Sequence, residues 1–223
     1  MTKGEAQRSI RTFYEVVNDR EAGRVRKPRK NDAMSFVTKT ARTSDPDPAH
    51  NEQVTLLSLA LFDGLRVLHG YGPDERRLLE IAARLHDIGW SRAGASGKHH
   101  KLSCEMIQEL AIPGLNEKDR LACALVARYH NKSLPDASRH NLFASLGNGP
   151  RAVVEWLAGM LRVADGLDCS HSGLIRRLTC TISSKTITIH LESTADCRME
   201  VEGAFQKQEL LARVTGRTIE YRC

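Results

Sequence analysis

The 223 residues carry 33 Lys and Arg against 27 Asp and Glu, a formal charge of +6, with 41% hydrophobic and only 5% aromatic side chains. That length supports one sizeable core or a main domain with a small appendage, and so few aromatics predict a core of Leu, Ile, Val and Ala in a helix-dominated fold. No apolar stretch approaches the roughly 20 residues of a membrane span, and no apolar signal region follows Met1-Thr2-Lys3-Gly4-Glu5, so a cytoplasmic location without membrane contact is expected.

Near the N-terminus, Ile10, Phe13, Tyr14, Val16 and Val17 predict a short amphipathic helix. The basic run Arg24-Val25-Arg26-Lys27-Pro28-Arg29-Lys30 follows, in a segment where Pro28 stops a helix. No aromatic residue interleaves with it to stack on bases, so nucleic acid stays open as a partner without a supporting motif. Ser44-Asp45-Pro46-Asp47-Pro48 is a breaker. Beyond it, Val54, Leu57, Leu61, Leu65 and Leu68 mark one face of a long helix ending at Gly70.

Pro73-Asp74-Glu75 opens a second helix, whose Leu78, Leu79, Ile81, Ala82 and Leu85 lead to His86-Asp87, with Gly89 placed to stop it. Gly94 to Gly97 is a connection, and Ser103, Met106, Ile107 and Leu110 predict a third helix. Asn116 with Asp119 three residues on predicts an N-cap for a helix through Leu121, Leu125 and Val126 to His130. After a polar stretch from Asn131 to Pro150, Val153, Val154, Trp156, Leu157, Met160, Leu161 and Ala164 predict an apolar helix carrying Asp165 near its end.

From about Arg176 the period changes to alternation. Leu178, Cys180 and Ile182, then Ile187, Ile189 and Leu191, read as a hairpin. Residues 198–202 are expected as a strand, 205–214 as a helix and 218–221 as a last strand. The six cysteines, Cys104, Cys123, Cys169, Cys180, Cys197 and Cys223, form no C-x-x-C pair and read as reduced thiols, mostly structural.

The chemistry concentrates in His50, His86, Asp87, His99, His130 and Asp165. Imidazole and carboxylate suit Mn, Fe, Mg, Ni or Zn, one ion or two, and no thiolate belongs to the set. Adjacent helical residues face about a hundred degrees apart, so His86 and Asp87 reach one point together only near a helix end, where Gly89 puts them. The other candidates also fall at helix starts or ends, which an antiparallel bundle gathers at one pole.

In order and local context these residues resemble the HD superfamily of metal-dependent phosphohydrolases. Leu85-His86-Asp87-Ile88-Gly89, His99-His100-Lys101-Leu102-Ser103, Val126 to Lys132 and Leu161 to Asp168 are similar to the C-terminal helical domain of the exopolyphosphatase and guanosine pentaphosphate phosphatase family. The resemblance implies a mainly α, HD-type helical bundle over residues 49–172, preceded by an N-terminal helix and basic loop (1–48) and followed by a small α+β tail (173–223). It implies that His50, His86, Asp87 and Asp165 form the basic metal site, with Asp87 bridging and catalytic, and that His99 and His130 complete a second ion. The spacing from His99 to Ser103 resembles that in other HD proteins, and the resemblance implies His99 rather than His100.

Lys98, Lys101, Arg128, Lys132 and Arg162 lie close in sequence to these residues and are candidates to hold phosphate oxygens. That family's N-terminal actin-like domain, which carries its known phosphatase site, has no counterpart in the residues before His50. The resemblance therefore transfers the metal motif and not exopolyphosphatase activity. Two readings follow: a metal-dependent phosphohydrolase acting through a metal-activated water on a small phosphorylated substrate, a nucleotide or pyrophosphate-type compound; or a non-catalytic module binding polyphosphate, nucleic acid or a protein partner. A homodimer is compatible with both.

Overall fold

The computed structural model describes residues 30–94 and 97–223; the expected helix over Ile10 to Val17 and the basic run up to Arg29 lie outside them. The first described helix, α1 (Lys30–Ser44), buries Ala33, Val37 and Ala41 at four-residue steps. Two of those three are alanine, too weak an apolar signal to mark a helix in the sequence.

Helix α2 (Pro48–Gly64) begins with Pro48, whose missing N–H costs nothing there, and the Asp47 carboxylate accepts the His50 N–H at 3.1 Å. The face expected to run unbroken to Gly70 is interrupted at Leu65, and the short α3 (Arg66–His69) then closes on Gly70 at φ 68°. At the break the His69 ring takes the Phe62 carbonyl at 2.9 Å, the acceptor that a continuous helix gives to Arg66.

Four further helices, α4 (Pro73–Leu85), the short α5 (Trp90–Ala93), α6 (His99–Glu109) and α7 (Glu117–Tyr129), build the rest of the frame. The Asn116 side chain accepts the Asp119 N–H at 2.9 Å, the expected cap of α7. After the short α8 (Asn141–Ala144), α9 (Asn148–Gly166) crosses the molecule against α2 and α7. Every residue from Leu157 to Gly166 in α9 is buried, the pattern of a helix covered on all sides.

The hairpin forms as expected: β1 (Ile175–Ile182) and β2 (Thr186–Ser193) are antiparallel, with Leu178 opposite Leu191, Cys180 opposite Ile189 and Ile182 opposite Ile187. Residues 198–202 are not a strand. They begin α10 (Arg198–Lys207), which α11 (Glu209–Thr215) follows, and β3 (Thr218–Arg222) then pairs parallel to β2. Met199 and Val201 mimicked alternation, but Met199 is exposed and Glu200 is the buried residue, accepting the Ser170 hydroxyl proton.

One hydrophobic core joins α1, the bundle and the sheet, from Ala33 to Ile219. Cys197 and Cys223 are joined in a disulfide, against the expectation of six free thiols. Nothing in their separation announced it, because the approach depends on the chain end returning along β3. Among the described residues, no helix is long and apolar enough to cross a membrane.

Candidate metal centre

The end of α4 is where the centre begins. His86 to Gly89 form a turn rather than a further helical stretch, with Trp90 N–H bonding back to Asp87 O at 3.0 Å. A Cβ on Gly89 would sit 2.1 Å from His99 O and 2.5 Å from Ser103 N, so only glycine lets the start of α6 come this close. Ser103 closes the contact by accepting the Gly89 N–H at 2.9 Å. Asn51 secures the other side, its amide donating to Arg84 O at 2.8 Å and to Asp45 at 2.9 Å. These contacts bring α2, α4 and α6 to one pole.

Two helices end alike there. The His86 Nδ1 and His130 Nδ1 atoms each lie 2.6 Å from the carbonyl three residues back, Ala83 and Ala127. A carbonyl only accepts, so each Nδ1 carries the proton and each Nε2 offers a lone pair. Asp87 stands between the rings: Oδ2 is 3.7 Å from His86 Nε2, and Oδ1 is 3.4 Å from both His99 Nε2 and His130 Nε2. The two facing Nε2 atoms of His99 and His130 are 3.3 Å apart. His99 thus faces the cluster, stacked on Trp90 at 4.2 Å, while His100 stands edge-on behind it.

The second half centres on His50. Its Nδ1 is 2.7 Å from Asp168 Oδ2 and its Nε2 is 3.4 Å from Asp165 Oδ1; the other oxygen of Asp165 is paired with the Lys207 ammonium. Asp168 reaches across 118 residues to orient this ring, and accepts the Gly173 N–H as well. His171 stacks on His50 at 3.9 Å and pairs with Asp47 at 2.8 Å.

The electrostatics divide in the same way. Burial alone would lower the pKa of His50, but Asp165 and Asp168 outweigh it and push the value up to about 10. Burial pulls His130 down to about 3, with the neighbouring His86 ring adding to the effect, and pulls His99 below its ordinary value. Asp165 and Asp87 are each held below the usual carboxylate range: burial opposes this, and the surrounding histidines, with Lys207 at Asp165, prevail.

The centre opens into a cavity of about 420 Å³ lined by His50, Asp87, His99, His130 and Asp165, with His86 buried behind them. None of Lys98, Lys101, Arg128, Lys132 and Arg162 lines it. Arg162 is turned inward, its guanidinium donating to Tyr129 O at 3.0 Å and to Lys207 O at 3.2 Å. Its role is to tie the end of α7, and with it His130, to the end of α10. Among the described residues, the one Lys or Arg that lines the cavity is Lys207, which sequence reasoning missed because it lies in the tail, far from any motif. Trp90 and His171 also line the cavity.

The residues fit a divalent ion on two counts. His86 Nε2 and Asp87 Oδ1 are buried and have no hydrogen-bond partner, an arrangement that costs stability unless a cation meets them. Ligand atoms of His50, His86 and Asp165, and again of His86, Asp87 and His130, lie within 4.8 Å of one another, all buried. The pattern of Nδ1 donors behind Nε2 ligands is the usual support of metal-binding imidazoles.

A search of curated proteins finds no match to this chain. A family model described as "Ppx/GppA phosphatase, domain III" matches residues 33–212, the span that runs from α1 through the metal centre into α11. With four-fifths of its length under that match, the chain belongs to the Ppx/GppA phosphatase domain III family.

Proposed function

We propose that this chain is an HD-type, metal-dependent phosphohydrolase acting on a small phosphorylated substrate, a nucleotide or pyrophosphate-type compound. The observation that carries the reading is the pair of orphaned, buried ligand atoms, His86 Nε2 and Asp87 Oδ1, beside an open cavity. His50, His86, Asp87 and Asp165 would hold one ion, and Asp87 with His99 and His130 a second. A bound divalent ion supplies an acidified water as nucleophile and positive charge for the phosphoryl oxygens.

The chain's own residues do the rest. Asp87 presents one oxygen to each group of histidines, so it sets the separation of the two positions. Asp168 fixes the His50 ring through Nδ1, and the Ala83 and Ala127 carbonyls fix His86 and His130. Trp90 and His171 stack on the faces of His99 and His50 and so help to hold those rings in place.

Metal content of the purified protein, followed by hydrolysis of generic phosphomonoesters and phosphodiesters after manganese or iron is added, tests this reading. Uptake of one or two ions is expected, with uptake and turnover both lost in His86→Ala and Asp87→Ala. No uptake and no turnover by the unaltered protein would favour the binding-module reading instead.

A further inference from the structure

We infer that Lys207 is the cation that holds the substrate's phosphate in this cavity. The inference rests on the phosphohydrolase reading and assigns a residue to it that the motif does not contain.

Four carboxylates line the cavity, Asp45, Asp47, Asp87 and Asp165, and among the described residues Lys207 is the one Lys or Arg that does. A phosphate dianion entering there meets strong negative charge wherever metal ions do not offset it. Lys207 is the protein's answer at the Asp165 side. Its side chain is about a quarter exposed, enough to reach a ligand, and its ammonium is paired with Asp165.

Its position is built rather than incidental. A Cβ on Gly166 would lie 2.6 Å from Ala204 Cα, and one on Gly203 would lie 2.5 Å from Gly166 O, so α9 and α10 touch backbone to backbone just before Lys207. Arg162 then fixes the Lys207 carbonyl at 3.2 Å. The backbone at Lys207 is thereby held, and its side chain reaches from there to Asp165 at the cavity wall. Asp165 turns Oδ1 to His50 and Oδ2 to the ammonium, so a phosphate oxygen in the cavity would be a second acceptor for an ammonium that has three donors, a charge-assisted contact.

The test uses inorganic phosphate as the probe, titrated calorimetrically into the full chain, manganese-loaded and metal-free, for the wild type, Lys207→Gln and Lys207→Arg. Metal per chain is counted in each, and circular dichroism checks the fold. With metal content equal, Lys207→Gln should weaken phosphate binding about tenfold or more, the scale of one charged hydrogen bond, and Lys207→Arg should recover most of it. In turnover the loss should fall chiefly on KM. Phosphate affinity in Lys207→Gln within twofold of wild type, or no phosphate binding by the wild type, would overturn the inference. Absence of manganese uptake by the wild type would instead strike the metal reading, and the metal-free titration then decides Lys207 by the same criterion. If Lys207→Gln does not fold, Lys207→Met replaces it under the same comparison.

Discussion

The two halves of the centre solve the same problem in opposite ways. Around His50, charge is matched within the protein: the ring lies between Asp165 and Asp168, and Lys207 takes the remaining carboxylate oxygen. Around His86 and Asp87, burial lowers the pKa values of His99 and His130, and His86 Nε2 and Asp87 Oδ1 are left without a hydrogen-bond partner. The contrast teaches that the first half is balanced by charges within the protein, while the second leaves two buried ligand atoms that a cation could meet. If an ion binds as proposed, it would replace ion pairs at His50 and relieve the unbonded atoms at His86 and Asp87.

The sharpest way to break the contrast is to push the halves apart. Gly89→Ala puts a methyl 2.1 Å from His99 O, a backbone atom that cannot rotate aside. A loss of about 3 kcal/mol or more in urea unfolding is expected. Calorimetry should show metal affinity collapsing with it, because His99 leaves Asp87. A variant as stable as wild type with full metal uptake would show that the close approach of α6 is dispensable.

Asp168→Asn probes the ionic half more gently. It removes the charge behind His50 while keeping its shape, and metal affinity should fall about 10- to 100-fold, as for other residues that orient a ligand from behind. The donors around His86 are untouched, so affinity equal to wild type would mean that His50 takes no part in binding.

A smaller and subtler difference lies in pH dependence of the metal-free protein. His50, with its value raised to about 10, contributes stability that is full below 6.5 and lost as pH rises through 10. His130 and His100, lowered to about 3 and about 4 chiefly by burial, contribute stability present above 6.5 and lost as pH falls through those values. The melting temperature should therefore decline on both sides of neutrality. In His50→Gln the alkaline decline should shrink while the acid decline stays, and an unchanged alkaline side would contradict the pairing of His50 with Asp165 and Asp168.

Much of the frame was legible because the signals were local. Asn116 and Asp119 cap α7 as their spacing indicated, and the alternation from Leu178 to Leu191 marked the hairpin. The six candidate ligands meet at one pole because each stands at a helix end, a property that periodicity and Gly89 reveal. Legibility failed where identity at a position is decided by distant packing. Arg162 sits beside a ligand in sequence, yet its guanidinium serves two carbonyls; Met199 and Val201 alternate like a strand, yet Glu200 is the one buried. Arg198–Lys207 is a helix whose Gly203-Ala204 step seats on Gly166, a contact distant in the chain that the local pattern does not reveal.

By itself the sequence determined the helical class, the candidate ligands and the glycine that stops α4, since each follows from side-chain chemistry or backbone freedom at a known spacing. The tertiary structure decided which nitrogen of each histidine is free, that Asp168 stands behind His50, and that the cavity's cation comes from the tail. Those depend on contacts between residues dozens to more than a hundred positions apart, which chain-local rules do not constrain.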